Sequence, residues 1–202
     1  MLTGTEMADY MRGIDVGIDN NIPHHEIVRK IYLCYPTHVF HNNEELQYEI
    51  FNQISSKFCI PFSSIHVVGS AKIGQSIYKS STFSPGDSDL DIAIISNELF
   101  IRYSEIVFYK TKGFQDIRDF PQDRENNRSK FAQYKNCISK GIFRPDLMPY
   151  CPEKEDWFSF FNKLSQSYRC LFKSINAGIY QSQCFFEIKQ SDIIEKYREG
   201  VI

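Results

Sequence analysis

The chain has no surplus of either charge, no long apolar run and no paired metal-binding cysteines, and each absence removes a class of protein. Its 23 Lys and Arg against 25 Asp and Glu leave a formal charge of −2 at pH 7, which does not suit a general polyanion binder. A bound nucleic acid would need a local patch. No apolar stretch approaches the roughly 20 residues that span a bilayer, so no membrane partner is expected. Residues 1–15 carry Glu6, Asp9 and Arg12 without an apolar centre, so they do not read as a signal peptide. The six cysteines (Cys34, Cys59, Cys137, Cys151, Cys170 and Cys184) are scattered outside zinc-ligand spacings. Reduced thiols in a cytoplasmic protein are the expectation. Repeats and low-complexity tracts are absent as well.

What is present is aromatic. Phe and Tyr number 17 and 12 in 202 residues, enough for one core built largely on rings. Few strands among many helices predict an α+β domain, a small mixed sheet flanked by helices. Short helices are expected over 6–12 and 24–34. A clear one follows over 42–58, where Asn42 can cap, Glu45 lies three residues on, and Leu46, Ile50, Ile54 and Phe58 recur every four. Residues 64–69 read as a strand, 72–78 as a short helix and 80–88 as a loop. A second strand spans 89–95, and Ser96 or Asn97 can cap the next helix. Helix is expected again over 129–140. A long aromatic-faced helix follows over 154–176, from Trp157 to Ile175, and its stripe reads as core. A third strand is expected over 184–189 and a final helix from Ser191 to about residue 199. The chain thus divides into an N-terminal helical extension (1–41), a core motif region (42–112), a helical insertion (113–180), and a last strand with its helix (181–202).

The chemistry concentrates in two places. An apolar run, His66-Val67-Val68, stops at Gly69-Ser70. Nineteen residues after Ser70, Asp89 and Asp91 stand two apart at the head of a second apolar run. Side chains two apart on a strand share a face, so both carboxylates project together while Leu90, Ile92 and Ile94 enter a core. Paired carboxylates with nothing basic between them suit a divalent cation. Asp87, Ser88 and Asp89 also fit an ordinary turn, but Asp91, with apolar neighbours on both sides, does not. Ser70 likewise fits a plain turn, and Lys72 a solvated helix position.

Strand, Gly-Ser, short helix and a strand with Asp-x-Asp, in that order, resemble the nucleotidyltransferase superfamily, the polymerase β-like palm and its minimal members. The resemblance covers roughly residues 43–110. It implies that Asp89 and Asp91 hold two Mg²⁺ ions, with Mn²⁺ as an alternative, bridging the phosphates of a nucleoside triphosphate substrate. Gly69 and Ser70 would cradle the phosphate tail, and Lys72 would add a charge. The activity implied is transfer of a nucleoside monophosphate to a hydroxyl on an unidentified acceptor: a small molecule, a protein side chain or a nucleic-acid end. A partner protein could supply recognition, because no large segment follows the expected third strand. Prokaryotic toxin–antitoxin or antiviral modules are settings that the resemblance permits. Two departures stand out. The 80–88 loop is longer than usual, and the family's third carboxylate, from a later strand, has no obvious match. Glu187, mid-strand in the expected 184–189, is the first candidate, with Asp146 and Asp192 behind it. The alternative is an NTP-binding or interaction module on the same fold that turns over little.

The paired histidines His24 and His25, and His38 with His41, complete no metal site by spacing. The basic run Arg118, Arg124, Arg128, Lys130, Lys135 and Lys140 reads as a solvated face rather than an acceptor patch.

Overall fold

The structure, a computed structural model, describes residues 9–77, 81–123 and 128–201. It is an α+β fold in which helices cover both faces of one four-stranded sheet. The elements, in order, are α1 (Tyr10–Asp19), α2 (His24–Val28) running on as a π-helical turn (Arg29–Cys34), α3 (Glu44–Phe58), β1 (Ile65–Val68), α4 (Ser70–Ile73) and β2 (Leu90–Ile95). There follow α5 (Asn97–Lys110), α6 (Phe131–Ile138), β3 (Ile142–Phe143), α7 (Pro152–Ser167), β4 (Ile175–Tyr180) and α8 (Gln183–Arg198). The sheet order is β1-β2-β4-β3, with β2 and β4 parallel and the outer pairs antiparallel. Among the described residues no helix is long and apolar enough to cross a membrane.

Much of the first half of the chain folds as its pattern predicts, with three shifts. The first helix runs on to Asp19, and α3 starts after Asn43, with Asn42 left-handed at φ 59°. The helix expected over 72–78 is α4 at Ser70–Ile73, ended by Gly74 and followed by a bridge from Gln75 to Thr82. Ile50, Ile54 and Phe58 bury one side of α3, which ends where Cys59 turns left-handed at φ 53°. The side chain of Ser96 caps α5 by accepting from the Leu99 amide at 3.2 Å. Along β2 the two-residue period separates two cores. Leu90, Ile92 and Ile94 enter a large one with Phe58, Trp157 and Phe161, while Ala93 faces a second with Tyr32, Tyr180 and Phe186. The predicted core role of Trp157, Phe161 and Leu164 also holds. Residues 113–123, polar in sequence, nevertheless bury Phe120 at 1% exposure.

The second half departs. The expected helix over 154–176 stops at Ser167, and Ile175 opens a strand instead. The Ser165 hydroxyl, in the last turn of the helix, accepts the Ile175 amide at 2.8 Å and so fastens the start of β4. The expected strand over 184–189 is helix, the front half of α8. Phe186, Gln190 and Ile194 bury every fourth residue there, and over only six residues that spacing mimics alternation. The last strand therefore lies at Ile175–Tyr180, inside the segment expected to be a helical insertion. The front of the first expected helix, residues 6–8, and residues 78 and 80 lie outside the described residues.

Candidate functional site

Gly69 ends β1 with φ 68° and ψ −156°, a conformation essentially reserved for glycine. It faces β2 at Asp91, which pairs in register with Val68. A Cβ on Gly69 would stand 3.2 Å from Asp91 Oδ2, so the turn lies directly against that carboxylate. Asp91 is exposed although Leu90, Ile92, Ala93 and Ile94 around it are buried. The reason is geometric. Asp91 shares a face with Ala93, and the cover over Ala93, drawn from α1, α2 and α8, ends before the start of the strand.

Asp89 precedes β2 and is oriented from the neighbouring strand. The Ser174 hydroxyl donates to Asp89 Oδ1 at 2.7 Å, and the Asn176 side-chain amide donates to Ser174 Oγ at 2.8 Å. Asn176 is the register partner of Asp91 across the parallel β2–β4 pair. Asp89, Asp91, Ser174 and Asn176 therefore meet at one end of one sheet face. Tyr180, two pairs further along that face, has its phenol pushed up to about 12, chiefly by burial, with the Asp91 charge adding to it.

Asp91, Ser174 and Asn176 line a cavity of about 680 Å³ that reaches across β4 to the β3 edge. Asp146 and Asp192, the lesser candidates for a third acid, line it too. Lys140, Arg144 and Lys189 stand on its far side.

Two expected site residues are elsewhere. Glu187 is on α8, not on a strand, and its carboxylate is taken up by other groups. Arg29 Nε and Nη2 donate to its two oxygens at 2.7 and 3.0 Å, and the Gln183 side chain donates at 2.6 Å. The Arg29 guanidinium holds the carboxyl below the usual glutamate range. Glu187 faces a separate hollow of about 450 Å³ beside His24, His25 and Cys184, so it is not brought to Asp89 and Asp91. Lys72 is 3% exposed. Its ammonium donates to the carbonyls of Tyr35 at 2.7 Å and Pro36 at 3.4 Å. That ties it inward, stapling α4 to the end of the π-helical turn, and burial lowers it to about 8. Ser70 opens α4 and is half-buried beside Gly69.

Among the described residues no three His, Cys, Asp or Glu side chains group as metal ligands. One histidine of each pair has identifiable neighbours. His38 packs on Gly74 and Tyr10, and His25 lies near the Arg29–Glu187 pair. In the basic run, Arg118 forks onto Asp116 and Lys135 lies over the Phe131 ring at 4.8 Å, both surface roles. Lys140 reaches the cavity instead. Arg124 lies outside the described residues.

Sequence reasoning missed Ser174, Asn176, Arg144 and Lys189. A signal for the first two was present, since Ser-Ile-Asn-Ala-Gly-Ile-Tyr has the short apolar-and-small pattern of a strand covered on both faces. It was masked by Asn and Gly, which strands disfavour.

Fold and site together define an acidic pair at one end of a helix-covered mixed sheet, closed on one side by a glycine turn and open on the other to a cavity. No family profile, no curated protein and no solved structure matches the chain.

Proposed function

We propose that the protein is a Mg²⁺-dependent nucleotidyltransferase that moves a nucleoside monophosphate from an NTP to an acceptor hydroxyl. The observation that carries this reading is the closure of Gly69 on Asp91, 3.2 Å from a would-be Cβ to Oδ2, at the edge of the 680 Å³ cavity. A side chain at that position would fill the space that a metal-bound phosphate needs. Asp89 and Asp91 are hard oxygen donors and would hold the cation. When bound, it supplies charge neutralisation on the triphosphate and Lewis-acid activation.

The remaining work belongs to the chain. The Gly69–Ser70 backbone allows close approach of the phosphate tail. Ser174 fixes the rotamer of Asp89, and Asn176 fixes Ser174. The cavity beyond Asp91 receives the acceptor. A cytoplasmic setting belongs to this proposal, and six free thiols suit a reducing compartment.

One observation favours a second reading. The position beside Asp91 on β4 is the amide Asn176, and Glu187 is held by Arg29. With two carboxylates in place of three, a second metal has one ligand fewer, which suits a module that binds Mg–NTP and turns it over slowly. Each labelled NTP, with Mg²⁺ or Mn²⁺, is to be followed for both binding and pyrophosphate release. Turnover lost in Asp91→Asn supports the transferase, and tight binding without turnover supports the module. Absence of both removes the nucleotide reading.

A further inference from the structure

The cavity that begins at Asp91 ends in cations from three separate elements. Lys140 follows α6, Arg144 follows β3, and Lys189 projects from α8. They are close enough that all three act on the thiol of Cys137, and Arg144 and Asp91 both act on the Tyr180 hydroxyl. Asp146 forks onto Arg144 at 2.7 and 3.1 Å, which fixes the guanidinium, and Asp146 and Asp192 offset part of the charge. Once a divalent cation neutralises Asp91, the cavity is net positive in a chain that is net negative.

Lys140 and Arg144, which flank β3, stand too far from the Gly69–Ser70 turn to share its phosphate. Neighbouring strands lie about 4.8 Å apart, which puts β3 about 10 Å from β2 and about 14 Å from β1. An anion held at β3 therefore belongs to a second molecule, with its reactive end near Asp91. A separation of about two strands suits a sugar-phosphate-sized molecule. The volume of about 680 Å³ falls in the range of small-molecule sites, about 300–1,000 Å³. The pI of 6.2 gives no footprint for a polynucleotide.

We propose that the acceptor is a small phosphate ester bearing a free hydroxyl, with its phosphate on Lys140, Arg144 and Lys189. This rests on the transferase reading above. The hydroxyl oxygen forms a bond to the α-phosphorus of the NTP, the bond from that phosphorus to the pyrophosphate oxygen breaks, and the hydroxyl proton passes to water.

The test is calorimetric titration of the full chain, without metal or nucleotide, with ribose 5-phosphate, inorganic phosphate and ribose. The single tryptophan, Trp157, which borders the cavity, provides a fluorescence check. Ribose 5-phosphate and phosphate should bind where ribose does not. Lys140→Gln, Arg144→Gln and Lys189→Gln should each weaken binding at least about tenfold, the scale of one charge-assisted hydrogen bond. Circular dichroism confirms that each variant is folded, and Asp91→Asn should retain the phosphate site. Binding unaffected by the three variants, no tighter than ribose, or lost in Asp91→Asn overturns the proposal, as does a short RNA that displaces ribose 5-phosphate at lower concentration. Each Mg–NTP titrated into the same samples separates the two levels. NTP binding without phosphate-ester binding removes the acceptor site and leaves the transferase reading. Phosphate-ester binding with none of the NTPs bound ends both the transferase reading and the acceptor role.

Discussion

Replacing Gly69 with alanine tests the joint between the turn and the acidic pair. At φ 68° and ψ −156° an L-residue sits in a region that costs about 1–3 kcal/mol. The new methyl would also meet Asp91 Oδ2 at 3.2 Å, tighter than ordinary contact, and the carboxylate must give way by a few tenths of an ångström. Alanine recovers about 0.4–1 kcal/mol by restricting the unfolded chain, so the net loss is about 1–2 kcal/mol. For a chain of this size that lowers Tm by about 2–8 °C. The functional effect separates from the thermal one. A displaced Asp91 weakens Mn²⁺ binding, measured by calorimetry well below the lowered Tm. Gly86→Ala is the control. Gly86 also has a positive φ, 80°, but its nearest neighbour is a main-chain oxygen at 3.6 Å, so its cost is conformational and leaves Asp91 in place. If Gly69→Ala binds Mn²⁺ as the wild type does, the turn does not shape the cation site and the central geometric argument fails.

Three further substitutions probe individual groups. Asn176→Asp places a third carboxylate beside Asp91 and Ser174. It should tighten Mn²⁺ binding at least about tenfold while lowering metal-free stability through like-charge repulsion across the strands; unchanged affinity would exclude this sheet position from a metal site. Burial, then the Lys72 charge, holds His66 below 6.5, so the folded imidazole stays neutral to a lower pH than the unfolded one. As pH falls through 6.5 the unfolded chain takes up a proton that the folded one refuses, and stability drops by at most about 1.4 kcal/mol per pH unit from this group. In His66→Phe, whose new ring can keep the contact with Phe186 at 6.1 Å, denaturant melts between pH 5 and 6.5 should show a shallower slope. Lys72 sits at about 8 in the folded chain against an unfolded value of about 10.4. Its burial penalty is therefore full below pH 8 and relieved as pH rises to about 10.4. The stability of the wild type relative to Lys72→Met should climb across that window, and a flat difference would mean that the ammonium is not desolvated.

The legible parts of the chain were those where a local rule sufficed. The four-residue period of Leu46 to Phe58, the Ser96 cap and the period-two face of β2 each depend on neighbours in sequence, and each formed as read. Gly69 also lies against Asp91, but through the antiparallel β1–β2 pairing, which no local pattern in either strand specified. The losses lie where the partner is distant. Ile175–Tyr180 is a strand because β2 offers it a parallel ladder 85 residues upstream in register, and nothing within Asn176-Ala177-Gly178 encodes that. Residues 184–189 were ambiguous by period alone. Tertiary packing of Phe186 against Tyr32 and Tyr180 decides for helix.

Exchanging those two elements changes what the acidic pair can do. With the last strand at 184–189, Glu187 would have stood in the sheet beside the aspartates, and three carboxylates would have been available. With the strand at Ile175–Tyr180, the neighbour of Asp91 is an amide, and Glu187 instead clamps α8 to the π-helical turn through Arg29. Among the described residues, the other acids on the cavity wall are Asp146, forked onto Arg144, and Asp192 on α8. Both stand among the cations that face the acceptor side. Acids placed there stand beside the acceptor's phosphate rather than its hydroxyl, where they orient Arg144 and offset part of the cationic charge. Binding of Mg–NTP and binding of the acceptor are then carried by different walls of one cavity. Mutations at Asp89 and Asp91 should abolish nucleotide affinity, while mutations at Asp146 or Asp192 should spare it and change only the affinity for the acceptor, both read by calorimetry.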